Sequence, residues 1–479
     1  MSPMAPILLW LRRDLRLADN PALLAAARQG SVIAAYVHDP GAPWAPGAAS
    51  RWWLHHSLAR LAEALRARGV PLVLRRGPLA ATLAALAREA GVASVHWNAL
   101  YDPSMAEAEA SLVADLGATG IAAHIHMGGA LLHEPPTSLA TRGGTPFQVF
   151  TPFWNACLER GDPPPPLSVP DILVGLAKPP GSERLEDWRF LPTTPDWAGG
   201  LRATWTPGED GAMAAAASFL GSGLARYAEA RDTPAIPGTS RLSPHLHFGE
   251  ISARQLWHMA RRSKGSAPHA TAFLRELAWR EFNHHLLFHF PATADQPLRS
   301  AFAHFPWRDD ETGYRAWTRG QTGYPIVDAG MRELWHTGFM HNRVRMIAAS
   351  FLVKHLLIPW QRGAGWFWDT LVDADLANNA GNWQWVAGSG ADAAPYFRIF
   401  NPTLQGKRFD PDGTYVRRWV PKLAGLPTPH IHEPWRAPAS ALAAAGVALG
   451  TDYPRPIVEH GAARARALDA FAQTRAMRS

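Results

Sequence analysis

The sequence predicts two unlike halves, an α/β amino-terminal domain on a parallel sheet and an all-α carboxy-terminal domain. Three observations carry this. Short aliphatic runs alternate with helical patterns through about the first 130 residues. A proline-rich stretch follows, with four consecutive prolines at Pro163–Pro166. From about residue 206 onward, apolar residues recur at helical spacing with aromatic interruptions. A chain of 479 residues is also long for a single core.

In the first half, Ile7–Leu11, Val32–Val37, Leu72–Leu74 and Ser94–Trp97 read as strands. Trp52–Arg68 and Ala80–Ala90 read as helices, closed by Gly69 and Gly91. Asp19-Asn20-Pro21 marks a helix start before a run of alanine and leucine. No GxGxxG follows the first strand and no GxxxxGK[ST] occurs, which argues against a dinucleotide or nucleoside triphosphate bound in the usual way. The boundaries are therefore drawn at 1–130 for the α/β domain, 131–205 for a connector crossing both halves, and 206–479 for the helical domain. After Pro456 the sequence reads as one final alanine- and arginine-rich helix.

Composition narrows the class. Hydrophobic residues make up 47% of the chain, and no apolar run approaches the roughly 20 residues that span a bilayer. The start, MSPMAPILLWLRR, lacks a basic stretch before its apolar run and reads as a first strand, not a signal peptide. The single cysteine, Cys157, excludes an intramolecular disulfide framework, a four-thiolate zinc site and a cysteine-held iron–sulfur cluster, and makes the cytoplasm the default expectation. A net charge of +7 favours a polyanionic partner. Only five of the 47 basic residues are lysines, leaving 42 arginines; GC-rich coding would give the same bias.

Four segments carry residues that an ordinary core would not. In FLRELAWREFNHH (Phe273–His285), Glu276, Trp279, Arg280 and Asn283 share one helix face. This is either a salt-bridged surface helix with a half-buried tryptophan or the wall of a site. In HNRVRMIAASFLVKHLL (His341–Leu357), Asn342, Arg345, Met346 and Ala349 share a face, and Arg343 turns off it toward a phosphate. Met346 alone is more often a gap-filler. In DTLVDADLANNAGNWQW (Asp369–Trp385), Asp373 and Asp375 lie two apart and flank a helix end or turn, and Asn378, Asn379 and Gly381 argue against helical continuation. No histidine cluster at ligand spacing accompanies them, so no metal is expected; a polar, hydrogen-bonding ring is the better ligand. In GTSRLSPHLHFGEIS (Gly238–Ser252), hydroxyls and Arg241 at a helix start suit a phosphate, although such turns also merely cap helices.

Together with GYPIVDAGMREL (Gly323–Leu334) and AAPYFRIFNP (Ala393–Pro402), these segments resemble the flavin domain of the photolyase/cryptochrome family. LLWLRRDLRLADNPAL (Leu8–Leu23) resembles the opening of that family's antenna domain, so nearly the whole chain is covered. The resemblance implies a Rossmann-like antenna domain, a helical FAD-binding domain and a chain acting as a monomer on ultraviolet-damaged DNA, with no membrane. One branch of the family carries an iron–sulfur cluster, which a lone cysteine cannot hold.

By motif position, Tyr227, Thr239, Ser240, Arg241, Leu242 and Ser243 would hold the pyrophosphate side of FAD. Asp373 and Asp375 would meet the flavin edge, with Arg345 neutralising the carboxylate charge. Asn379 would face the flavin N5, where an asparagine favours the reduced anionic flavin. Trp279 and Trp385 would wedge the flipped lesion, Glu276 would hydrogen-bond it, and Asn342 and Met346 would complete the pocket beside Arg280. Arg231, Arg343 and Arg398 would contact flanking phosphates. Trp307, Trp360 and Trp383 align with the family's electron-relay tryptophans, in a chain holding 21 tryptophans.

Within the family, Asn342 and Met346 fit the cyclobutane-dimer photolyases; the (6-4) photolyases place histidines there. A chain ending near its last expected helix is set against a cryptochrome photoreceptor with a signalling tail, the alternative reading. Asn382 departs from the glycine that many relatives carry before WQW and is expected to reshape a loop near Trp383. Folate, deazaflavin or a second flavin could serve as antenna, folate being slightly favoured. Arg51, Trp52 and Trp53 would either stack on that pigment or belong to the core.

Overall fold

The computed structural model describes residues 5–263 and 267–476. Strands β1 (Ile7–Leu11), β2 (Val32–His38), β3 (Leu72–Arg76), β4 (Ser94–Asn98) and β5 (Ala122–His126) form one parallel sheet in the order β3-β2-β1-β4-β5. Helices α1 (Pro21–Gln29), α2 (Ala48–Arg66), α3 (Leu79–Glu89) and α4 (Pro103–Ala118) supply the crossovers. The central β1 is buried along its whole length, as expected for a parallel strand covered on both faces. Separate apolar clusters fill the two faces of the sheet.

Four strands had been legible; α4 and β5 had not. The β5 sequence AAHIH lies at the sheet edge, where Ile125 is exposed, so it carries no buried aliphatic run to announce it. At the start of α1, Asn20 is the cap, its side chain accepting from the Leu23 amide. Asp19 instead crosses to the helical half, as described below.

The stretch 131–205 is more than a surface connector. It contains α5 (Phe150–Arg160), whose Phe150, Phe153, Trp154 and Cys157 pack into a cluster with helices of the second half. Trp52 and Trp53 are core residues, which removes the pigment-stacking reading for them. The Trp53 Nε1–H donates to Glu250 Oε1 at 3.0 Å, tying α2 to the helical domain.

The second half is helical. The elements that matter below are α6 (Ser243–Phe248), α7 (Ala253–Arg262), α8 (Ala267–His289), α9 (Pro325–Thr337), α10 (Asn342–Ser350), α11 (Trp360–Thr370), α12 (Leu376–Ala387), α13 (Pro402–Phe409) and α14 (His460–Ala476). Short helical turns join them. Gly249, just after α6, sits at φ +67°, and a Cβ there would lie 1.9 Å from the Arg13 carbonyl oxygen. Only glycine lets the two domains meet so closely. No described helix is long and apolar enough to cross a membrane.

Candidate flavin site and nucleic-acid interface

The site is organised by α12. Asp375 is its N-cap: Oδ1 accepts from the Asn378 backbone amide at 2.9 Å and from Asn378 Nδ2 at 2.7 Å. The helix then runs through Asn378, Asn379 and Gly381, correcting the expectation that these residues would break it. The reason is tertiary. A Cβ on Gly381 would lie 2.4 Å from Asn283 Oδ1, so the missing side chain lets α8 approach, and Asn283 Nδ2 donates to Asn378 Oδ1 at 2.9 Å. Asn382 is exposed within the same helix, so it reshapes no loop before Trp383.

Asp373, just upstream, takes both oxygens to Arg345 Nη2, at 3.1 and 2.8 Å, and accepts from Ser243 Oγ at 2.6 Å. Arg345 is further fixed by donating to the Met340 carbonyl at 2.7 Å. One charge-assisted network therefore ties α10, α6 and the residue before α12. Asp375 Oδ2 faces Arg13 at 3.6 Å, His247 at 3.6 Å and His284 at 3.5 Å. Burial pushes the Asp375 carboxyl up, but His284 and His247 outweigh it and hold the group well below the usual carboxylate range. Burial lowers the His247 imidazole against the pull of Asp375. Among the described residues, no group of three His, Cys, Asp or Glu is arranged to hold a metal ion.

The turn before α6 carries the hydroxyls. Gly238 presses it onto the segment of Tyr227 and Arg231: a Cβ would lie 2.3 Å from the Ala230 carbonyl oxygen. Thr239 and Ser240 are half-buried and Ser243 is exposed. Leu242 turns its side chain into the core, leaving only its backbone for a ligand. Arg241 adopts φ +53° and lies over the rings of Trp205 and Phe339 at 4.5 and 5.0 Å, its Nε buried without a partner among the described residues. Tyr227 is buried, and burial raises its hydroxyl above the ordinary range. An unpartnered guanidinium N–H beside three hydroxyls fits a diphosphate, and the acid–amide–arginine cluster fits a polar ring. The donor set therefore suits FAD.

Around this cluster lie the residues expected at the lesion. Glu276 on α8 pairs with Arg231 at 2.6 Å, and Arg231 also lies over the Tyr227 ring at 5.4 Å. Burial lowers the Arg231 guanidinium, but Glu276 prevails and raises it. Arg343 forms two 2.9 Å bonds to Asp232 and covers Phe409 at 4.5 Å. Two of the three arginines expected on phosphates are thus occupied by carboxylates. Arg398 is exposed and, among the described residues, forms no ion pair; its carbonyl accepts from Lys354 Nζ at 3.1 Å. Arg280 donates to the Ala130 carbonyl at 3.0 Å, which ties it to the segment after β5.

An open hollow of about 490 Å³ is lined by Arg343, Met346, Trp385, Arg398, Leu404 and Phe409, among others. Asn342 stands exposed one turn before Met346 on α10. Trp385 also lines a second, small recess of about 30 Å³, together with Trp279. One face of Trp279 is already covered by Phe150, stacked at 3.7 Å and 7°. Its remaining surface is what a ligand can use. Leu404, 59% exposed on α13, is an apolar residue at the hollow that the sequence reading missed, because a lone leucine among polar residues carries no signal.

Trp360 and Trp383 are 2% exposed, and Trp307 packs half-buried against the same apolar cluster. Asn379 is half-buried, its Nδ2 donating to the Ala364 carbonyl at 3.0 Å. A Cβ on Gly363 would lie 2.1 Å from the Trp383 ring, so α11 and α12 meet there without side-chain padding.

Comparison with known proteins agrees with this geometry. Residues 7–171 match the DNA photolyase family, and residues 273–473 match the FAD binding domain of DNA photolyase. The deoxyribodipyrimidine photo-lyase of Agrobacterium fabrum is 52% identical over 98% of this chain and 98% of its own. Cryptochrome-1 of Arabidopsis thaliana is 40% identical over 97% of this chain and 70% of its own. The crystal structure of a bacterial class III photolyase from Agrobacterium tumefaciens superposes with a TM-score of 0.96 at 50% identity, covering 99% of this chain and 98% of that one. An archaeal photolyase from Sulfolobus tokodaii, solved with two FAD molecules, gives 0.81 at 28% identity, covering 98% of this chain and all of that one. By sequence and by fold, this chain belongs to the photolyase/cryptochrome family.

Proposed function

We propose that this protein is a deoxyribodipyrimidine photo-lyase that uses light and FAD to split cyclobutane pyrimidine dimers in DNA. The observation that carries the reading is a single juxtaposition. The Asp373–Arg345–Ser243 network and the Asp375 cap adjoin helices whose other residues, Met346 and Trp385, line an open hollow. Bound FAD would supply one electron to the dimer on illumination and recover it after the two bonds between the bases break, so no net oxidation occurs.

The chain's own residues do the rest. Ser240, Arg241 and Ser243 bind the diphosphate, and Asp373, Asp375 and Asn379 hold the ring, with Arg345 offsetting the Asp373 charge. Everting the dimer is the known behaviour of photolyases as a class. Trp385 and the free surface of Trp279 pack against the everted bases, while Asn342 and Met346 close the far side. Glu276 hydrogen-bonds the pyrimidine once Arg231 turns to a backbone phosphate. Arg398 is the flanking cation that forms no ion pair among the described residues. Trp307, Trp360 and Trp383 would relay an electron from the half-buried Trp307 toward bound flavin.

We further infer a folate antenna in preference to a deazaflavin, a monomer, and a cytoplasmic protein with access to chromosomal DNA. Pigment extraction checks the first. A blue-light signalling role is the second reading, favoured by the 40% identity to a plant cryptochrome. The decisive experiment incubates the reduced, flavin-loaded protein with oligonucleotides carrying a cyclobutane dimer or a (6-4) lesion, in darkness and under blue light. Light-dependent restoration of the cyclobutane substrate alone is the expected result. Binding without conversion would move the assignment to a photoreceptor.

A further inference from the structure

In a doubly wound sheet, the place where strand order reverses leaves a crevice at the carboxyl ends of the strands. Here that point lies between β1 and β4, and the chain leaving them supplies Arg13 and Asp102. The crevice is pressed against the helical domain. It leaves a small polar cavity of about 20 Å³ lined by Arg13, Arg16, Asp102, His247, His284 and Asp375, among others. Three buried polar atoms there, Asp102 Oδ1, His247 Nδ1 and Arg16 Nε, have no hydrogen-bond partner among the described residues. The seam here is lined by charged and polar groups around a gap the size of one water.

Arg13 spans it. One terminal nitrogen is held by Asp102 in a close ion pair, and the other lies 3.6 Å from Asp375 Oδ2. Because Asp375 Oδ1 is spent on capping α12, Oδ2 is the only oxygen left to feel the amino-terminal domain. The other groups facing it are His247 and His284. The His284 Nδ1 meets the Arg280 carbonyl at 3.0 Å, so its Nε2 can donate to Asp375 only when the ring carries a second proton. Among the described residues, Arg13 is thus the one permanent cation within 4 Å of this carboxylate.

We propose that Arg13 is a positioning residue for light-driven electron transfer: anchored by Asp102, it offsets the charge of Asp375 from across the domain interface and so helps set the reduction potential of the bound flavin. The proposal rests on the reading of Asp375 as a flavin contact. A negative charge beside the ring opposes formation of an anionic reduced flavin, and a cation 3.6 Å from that charge relieves the opposition.

The test is a spectroelectrochemical titration of the flavin-loaded protein with Arg13→Gln, Arg13→Lys and Asp102→Asn variants. Arg13→Gln is expected to keep full flavin content and to lower the equilibrium constant for one-electron reduction roughly tenfold, which is about 59 mV. Arg13→Lys should stay within about threefold of the parent by the same relation. Asp102→Asn, which frees Arg13 without removing it, should move the potential in the same direction by less, and serves if Arg13→Gln does not fold. A flavin-loaded Arg13→Gln or Asp102→Asn protein with an unmoved potential overturns this inference alone. A folded parent that takes up no flavin overturns the flavin reading, and this one with it.

Discussion

Asp19→Asn is a sharp test of how the two halves are joined. Asp19 is fully buried in the loop after β1, and Arg254 on α7 reaches it from the helical domain, with Nε 2.8 Å from both carboxylate oxygens and Nη2 in close contact. Ser252 Oγ and the Leu167 amide also donate to the carboxylate. Asparagine keeps the shape and tolerates the φ of +54° found here, so backbone strain does not enter. What is lost is charge, leaving the Arg254 guanidinium buried and unpaired. Removing one member of a buried pair costs about 3–5 kcal/mol. Because the pair bridges two domains, urea unfolding should lose about that much stability and separate into two transitions. The double variant Asp19→Asn/Arg254→Met should recover part of the loss, since it leaves no unpaired charge. A single-variant loss under about 1 kcal/mol, the value of an exposed pair, would refute the reasoning.

Four further outcomes follow from the site and its surroundings. Glu276→Ala should retain flavin and damaged-DNA binding yet lower the repair yield per absorbed photon about tenfold, the order expected for one lost hydrogen bond to a charged species; an unchanged yield removes Glu276 from the mechanism. Arg398→Ala should weaken binding to all DNA sequences alike and reduce the slope of log affinity against log salt by about 0.9, one phosphate contact; an unchanged slope would deny the contact. Burial raises the Glu281 carboxyl to about 7, against two backbone donors at Leu132 and His133. The folded state therefore keeps this proton longer than the unfolded chain. Stability should fall as pH rises from about 4.5 to about 7, by about 3 kcal/mol in all, and Glu281→Gln should flatten that limb in pH-dependent urea titrations. Gly363→Ala should displace the Trp383 ring and slow flavin photoreduction, read by transient absorption, while leaving repair by chemically reduced protein intact.

Some of this was legible in the primary structure and some was not, for identifiable reasons. Local periodicity is enough to show buried parallel strands such as Ile7–Leu11, and the glycine closing α2 marks its end, because burial on both faces and helix termination are written in neighbouring residues. It could not show β5, whose edge position removes the hydrophobic demand. It misread Asn378–Gly381 as a break, because the propensity penalty of asparagine and glycine is local while the gain from bringing α8 against α12 is not.

The sequence by itself determined the class of the protein: an α/β half and a helical half, and motifs dense enough to name a flavin-binding family and its candidate residues. Only the tertiary structure decided which of those residues are free to act. Arg231 and Arg343 are held by Glu276 and Asp232, Arg280 bonds the Ala130 carbonyl, Leu242 is core, and Arg398 forms no ion pair among the described residues. It also brought Arg13 and His247 to Asp375 from more than a hundred residues away. The physical reason is that residue type and helical spacing fix what a side chain can do, whereas charge pairing and burial depend on partners that chain folding alone brings within reach.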